Sequence, residues 1–97
     1  MITLLNEFKR TIENKLEEKG GEVKLFIAID NDTNRIRYTN DLIVFALREC
    51  ENTLEFETEQ DLTFTLGLNL MSLAYLEYDE EYIFSYEDGT KITISII

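Results

Sequence analysis

The dipeptide Asp88-Gly89 separates two alternating, β-rich runs, Glu81-Tyr82-Ile83-Phe84-Ser85-Tyr86-Glu87 and Thr90-Lys91-Ile92-Thr93-Ile94-Ser95-Ile96-Ile97. Asp-Gly in that setting is a strong hairpin signal, because a two-residue type I′ turn needs positive φ at both central positions. A hairpin of this kind is not stable alone, so the upstream chain must supply the rest of a sheet and something to cover it. Counting outward from a two-residue loop places Ser85 opposite Ile92 and Ile83 opposite Ile94. Ile83, Ile92, Ile94 and Ile96 then share one face, which reads as core. Tyr82, Phe84 and Tyr86 fall on the other face. Either a helix or second layer covers them, or they form an aromatic contact surface. A one-residue slip in the loop would merge the two sets.

Upstream, Leu5, Phe8, Ile12 and Leu16 recur at helical spacing, and Gly20-Gly21 supply the expected stop, so residues 2–19 read as a helix. Val23, Leu25, Ile27 and Ile29 alternate as a strand, a turn rich in Asn and Asp follows, and residues 35–39 return. Asp30, Asp32 and Asn34 have the spacing that opens a calcium loop. Arg35 stands where that loop needs glycine, and Asp41 where it needs a bidentate Glu, so calcium is not expected. Residues 41–50 read as a buried strand or a short helix, with β-branched content favouring the strand. Residues 54–59 alternate strictly. Residues 61–78 alternate again, with Leu62, Phe64, Leu66, Leu68 and Leu70 in phase and Gly67 marking a bulge or bend. The expected architecture is a single α+β domain over residues 1–97. An N-terminal helix packs on a mostly antiparallel meander of about six strands that ends in a β-hairpin.

Charge is the feature that bears on function. The 97 residues carry a formal charge of −11. Residues 1–48 hold eight Lys/Arg and eight Asp/Glu, whereas residues 49–97 hold twelve Asp/Glu and only Lys91, so the whole excess lies in the second half. Phosphate contacts need clustered cations, and direct nucleic-acid binding is therefore not expected. Glu55, Glu57, Glu59 and Asp61 recur at every second residue and form one carboxylate row on a strand, with nothing in the segment to neutralise it. The row is either a solvated face or a template for a basic partner. Asp79, Glu80 and Glu81, with Glu87 and Asp88, form a second acidic group.

Other chemistries are poorly supplied. There is no histidine and one cysteine, Cys50, which removes histidine-based triads, imidazole metal sites and any internal disulfide. No phosphate-binding glycine loop, zinc signature or nucleophile motif occurs. The chain is expected not to be an enzyme and to need no cofactor or metal. The longest apolar run spans six residues, 42–47, and the start lacks the basic and apolar pattern of a signal peptide. A cytoplasmic location, with no membrane contact, is expected.

In size and charge over its whole length, the chain resembles small acidic protein inhibitors of bacterial and phage conflict. These include phage anti-CRISPR proteins, DNA-mimic inhibitors and immunity proteins against nuclease toxins. No motif carries the resemblance, so no residue role is transferred by it. It implies an inhibitor whose partner is a basic nucleic-acid-binding protein. The partner-binding candidates read from the residues are Glu55, Glu57, Glu59, Asp61, Asp79, Glu80, Glu81, Tyr82 and Tyr86. The alternative is an assembly subunit that forms a homodimer or larger homo-oligomer through a sheet edge or the aromatic face. A small-ligand binder whose sheet curls around a pocket is a third reading.

Overall fold

A computed structural model describes residues 3–31, 33, 35–59, 62–69 and 71–97. One helix, α1 (Thr3–Glu18), precedes seven strands: β1 (Val23–Asn31), β2 (Ile36–Glu49), β3 (Thr53–Thr58), β4 (Thr63–Gly67), β5 (Met71–Leu76), β6 (Glu81–Tyr86) and β7 (Thr90–Ile96). The strands form one antiparallel sheet in the order β4-β3-β2-β1-β7-β6-β5. The class is α+β, as expected, with seven strands in place of about six.

Two stretches are divided differently from expectation. The stretches read separately as 35–39 and 41–50 are one strand, β2. The stretch read as one run, 61–78, is two strands at opposite edges of the sheet, joined by the three residues between Gly67 and Met71. Its inward set changes phase at that crossing, from Phe64 and Leu66 on β4 to Leu73 on β5. Gly67 ends β4 and marks no bulge. The bulge is on β2, where Val44 pairs with Thr58 and Ala46 with Glu57, leaving Phe45 as the extra residue. It lets Val44 and Leu47 both turn inward while Phe45 stays exposed.

The final hairpin is slipped by one residue from the type I′ register. Ser85 pairs with Lys91, Phe84 with Ile92 and Tyr82 with Ile94. The loop has three residues, Glu87, Asp88 and Gly89. The Gly89 N–H donates to the Tyr86 carbonyl at 3.1 Å, Gly89 has φ 92°, and Asp88 keeps negative φ. This is a type I turn followed by a left-handed glycine, the usual three-residue hairpin solution. Asp88 Oδ1 accepts from the Thr90 N–H at 2.9 Å, and that bond holds the carboxyl below its ordinary range. The slip moves Ile83 to the outer face and brings Tyr82 and Phe84 onto the same face as Ile92, Ile94 and Ile96.

That shared face is covered by α1. Phe8 and Ile12 are fully buried and Leu5 nearly so, and they meet Val23, Leu25 and Ile27 of β1, Leu54 and Phe56 of β3, and Phe84 and Ile94 of the C-terminal hairpin. Phe8 is the centre, with its ring 4.9 Å from Tyr82, 5.2 Å from Phe84 and 6.3 Å from Phe56. The face of Val23 and Ile27 and that of Ile92 and Ile94 are one face, since Ile27 pairs with Ile94 and Ile29 with Ile92. At its end, α1 closes through Gly20 (φ 73°) and a Gly21 N–H bond to the Leu16 carbonyl at 2.7 Å, a Schellman-type cap. Lys9 Nζ contacts Glu49 Oε1 at 2.7 Å and ties the helix to the end of β2.

The sheet curls far enough for β6 to meet the opposite edge. The Tyr86 hydroxyl donates to the Gly67 carbonyl at 2.6 Å. Burial holds this phenol above its ordinary value, so the neutral donor is favoured in the folded state. The stability linked to it is complete below about pH 10 and is lost as pH rises from there through the raised folded value. Tyr86→Phe is expected to cost about 0.5–1.5 kcal/mol at neutral pH and to weaken the alkaline loss. Urea unfolding at pH 7 and above pH 10 checks both; equal stability of the two proteins at pH 7 would mean the bond does not hold the curl.

Candidate protein-binding surface

On β3, Leu54, Phe56 and Thr58 point inward and are buried, so Glu55 and Glu57 share the outer face, and the exposed Glu59 follows just beyond the strand. The row expected from the sequence therefore forms at Glu55 and Glu57, and the strand ends before Glu59. Asp61 lies outside the described residues. The row is not free of cations, however. Arg48 on β2 stands opposite Glu55, with Nε 3.6 Å from Glu55 Oε1, and its Nη2 bonds Glu57 Oε1. One guanidinium thus serves two of the carboxylates. On the other side, Thr65 and Thr63 of β4 face Glu55 and Glu57. The counter-charge is absent from the segment itself and arrives from the neighbouring strand, which a reading along one strand cannot register.

Among the described residues, the second acidic group has no such partner. Residues 77–80, Glu77-Tyr78-Asp79-Glu80, form the turn between β5 and β6, and all four are exposed. Glu80 takes φ 54°, which lets the chain reverse here without a glycine. Glu81 opens β6, half-buried, with Ser95 Oγ donating to its Oε2 at 3.4 Å. Among the described residues, no Lys or Arg lies within 4 Å of Glu77, Asp79, Glu80 or Glu81; the ion pairs are those of Lys9, Lys24, Arg37 and Arg48. The local potential is legible in Tyr75, whose phenol is raised first by desolvation and then by Tyr82 and the carboxylates of Glu80 and Glu77.

The aromatic residues sort differently from expectation. Tyr82 is 7% exposed and packs between Phe8 and Tyr75, so it is core and cannot anchor a partner. Tyr86 is half-buried and its hydroxyl is held by Gly67. The cover foreseen as the first alternative for this face is α1. The most exposed aromatic among the described residues is Tyr78, 98% accessible at the tip of the acidic turn, with Leu76 and Tyr75 beside it. A single alternating strand over residues 61–78 would hide this turn position. The cluster Glu77-Tyr78-Asp79-Glu80, lying between two apolar runs, was the turn signal.

The site therefore consists of an acidic turn that no Lys or Arg of the described residues pairs, carrying one fully exposed tyrosine, at the end of an edge strand, β5, whose six residues include no charge. Among the described residues, no three acidic or thiol groups converge as a metal site, and no helix is long and apolar enough to cross a membrane. No family model matches the chain, and neither does a curated protein or a solved structure.

Proposed function

We propose that the protein is a small acidic inhibitor that binds and blocks a basic, nucleic-acid-acting protein in the cytoplasm, of the nuclease or CRISPR-effector kind. The resemblance in size and charge to conflict inhibitors points the same way. The observation that carries the reading is the β5–β6 turn: Glu77, Asp79, Glu80 and Glu81 have no Lys or Arg of the described residues within 4 Å, and they surround an exposed Tyr78. Carboxylates in that state keep their full field for a partner, where those of Glu55 and Glu57 are already shared with Arg48. Any mimicry of nucleic acid rests on this turn more than on the row. Acidic steering accelerates encounter, and a tyrosine seated in a partner pocket slows departure.

The test starts from a pulldown in the native host, followed by association and dissociation rates in a salt series. Lys substitutions at Glu77, Asp79 and Glu80 are expected to slow association about tenfold or more at low salt, with the effect fading as salt rises. Tyr78→Ala is expected to raise the dissociation rate with little salt dependence. Reversal of Glu13 and Glu17, exposed on α1, is the control. An association rate untouched by the triple substitution sinks the proposal. The second reading, a homo-oligomer, is favoured by the uncharged, proline-free edge strand β5, which lacks the usual guards against edge pairing. A mass of twice the monomer by light scattering, with no captured basic protein, would select it.

A further inference from the structure

The concave face of the sheet extends beyond the reach of α1. Toward the end of β1 remote from the buried Val23, the inner positions Ile27, Ile29 and Leu42, with Phe64 of β4, enclose a half-open pocket of about 160 Å³ to which the helix contributes no side chain. Its mouth carries two of the most exposed large apolar side chains in the described protein, Tyr38 at 53% and Leu62 at 61%. Among the described residues, no charged side chain lines it.

The polar groups at the wall do not call for water. Thr58 Oγ1 donates to the Leu62 carbonyl at 2.8 Å, and Asn40 Nδ2 donates to the Tyr38 hydroxyl oxygen at 3.0 Å. A pocket walled mainly by aliphatic and aromatic carbon, with the Thr58 hydroxyl and the Asn40 amide N–H already engaged, holds water poorly. An apolar cavity of about 150 Å³ accepts a benzene-sized guest. The Tyr38 hydroxyl, accepting from Asn40, still has its proton to donate toward the pocket mouth. A formal charge of −11 and an uncharged lining both disfavour an anion.

We propose that this pocket binds a neutral, single-ring molecule bearing one small polar substituent, seated between Ile29, Leu42 and Phe64 with its polar group at Tyr38. The ring fills the volume the helix leaves uncovered, and the substituent accepts from the phenol at the rim. The site is separate from the acidic turn, so it stands or falls independently of the inhibitor reading.

The experiment is a titration of the intact chain with benzyl alcohol, followed by backbone amide NMR, with benzoate as the charged counterpart of equal ring size. Saturable shifts concentrated on Ile27, Ile29, Leu42 and Phe64 are expected, with half-saturation in the low millimolar range. Benzoate should shift these residues at least tenfold less at equal concentration. Leu42→Phe and Ile29→Phe, which fill the pocket from two sides, should each weaken benzyl alcohol binding at least tenfold. The amide spectrum of each variant reports whether its fold is kept, and the wild-type titration decides the matter if one is not. Non-saturating shifts, shifts centred on Tyr75, Leu76 and Tyr78, or equal shifts from benzoate would overturn the assignment. So would undiminished binding by a folded pocket-filling variant.

Discussion

Phe8→Ala is expected to remove about 3–5 kcal/mol of stability, the largest loss of any single truncation in the chain. Phe8 has no exposed surface and touches rings from both arms of the sheet, Phe56 on one side and Tyr82 and Phe84 on the other. Its removal opens a cavity where no side chain can close in, because each neighbour is held by its own strand. Domains of this size have about 5–15 kcal/mol in hand, so the variant should sit near the edge of folding at physiological temperature. Urea unfolding measures the loss. Leu16→Ala, half-buried on the same stripe, should cost distinctly less. A loss below about 1 kcal/mol at Phe8 would mean that α1 rests on the sheet without sealing it.

The second large effect is expected at Gly89, where valine should cost about 1–3 kcal/mol. Two causes act together. The residue sits at φ 92°, where a β-branched side chain is strongly disfavoured, and a Cβ would stand 3.2 Å from Thr33 Oγ1 in the neighbouring β1–β2 turn. Thermal unfolding of Gly89→Val alone and combined with Thr33→Ala separates them. If the backbone term dominates, the double substitution recovers little. Full recovery would assign the cost to the contact between the two turns, and an unchanged midpoint would reject the left-handed conformation at this position.

The helix and the inward set of β1 were legible because one periodicity dominates each: Leu5, Phe8, Ile12 and Leu16 for the first, and Val23, Leu25, Ile27 and Ile29 for the second. The final hairpin was legible as a hairpin, but its register was not. Asp-Gly is compatible with two loop lengths, and only burial of Tyr82 and Phe84 beneath α1 selects the longer one. Residues 42–47 are all apolar and show no periodicity, so strand and helix fit that stretch equally in pattern, and the bulge at Phe45 that puts Val44 and Leu47 on one face depends on pairing with β3. The candidate site was half legible. The acidic groups lie where the sequence places them, but Arg48 reaches Glu55 and Glu57 only through strand pairing, and Tyr78 is exposed only because β5 stops at Leu76. Both depend on which strands are neighbours, information that no single segment contains.

The strand order also decides how this molecule comes apart. β1 to β4 form one continuous meander, and β5 to β7 another; they are stitched along β1 and β7, where register partners such as Ile27 and Ile94 lie far apart in sequence. Each meander closes only short loops, so its ladders can form early and cheaply in chain entropy. The β1–β7 ladder and the docking of Phe8 across both arms are the slow, non-local steps. The protein is thus a clasp of two self-assembling leaves. A nick in the three residues between Gly67 and Met71 would cut no strand ladder, leaving two fragments able to find each other again as a complementing pair.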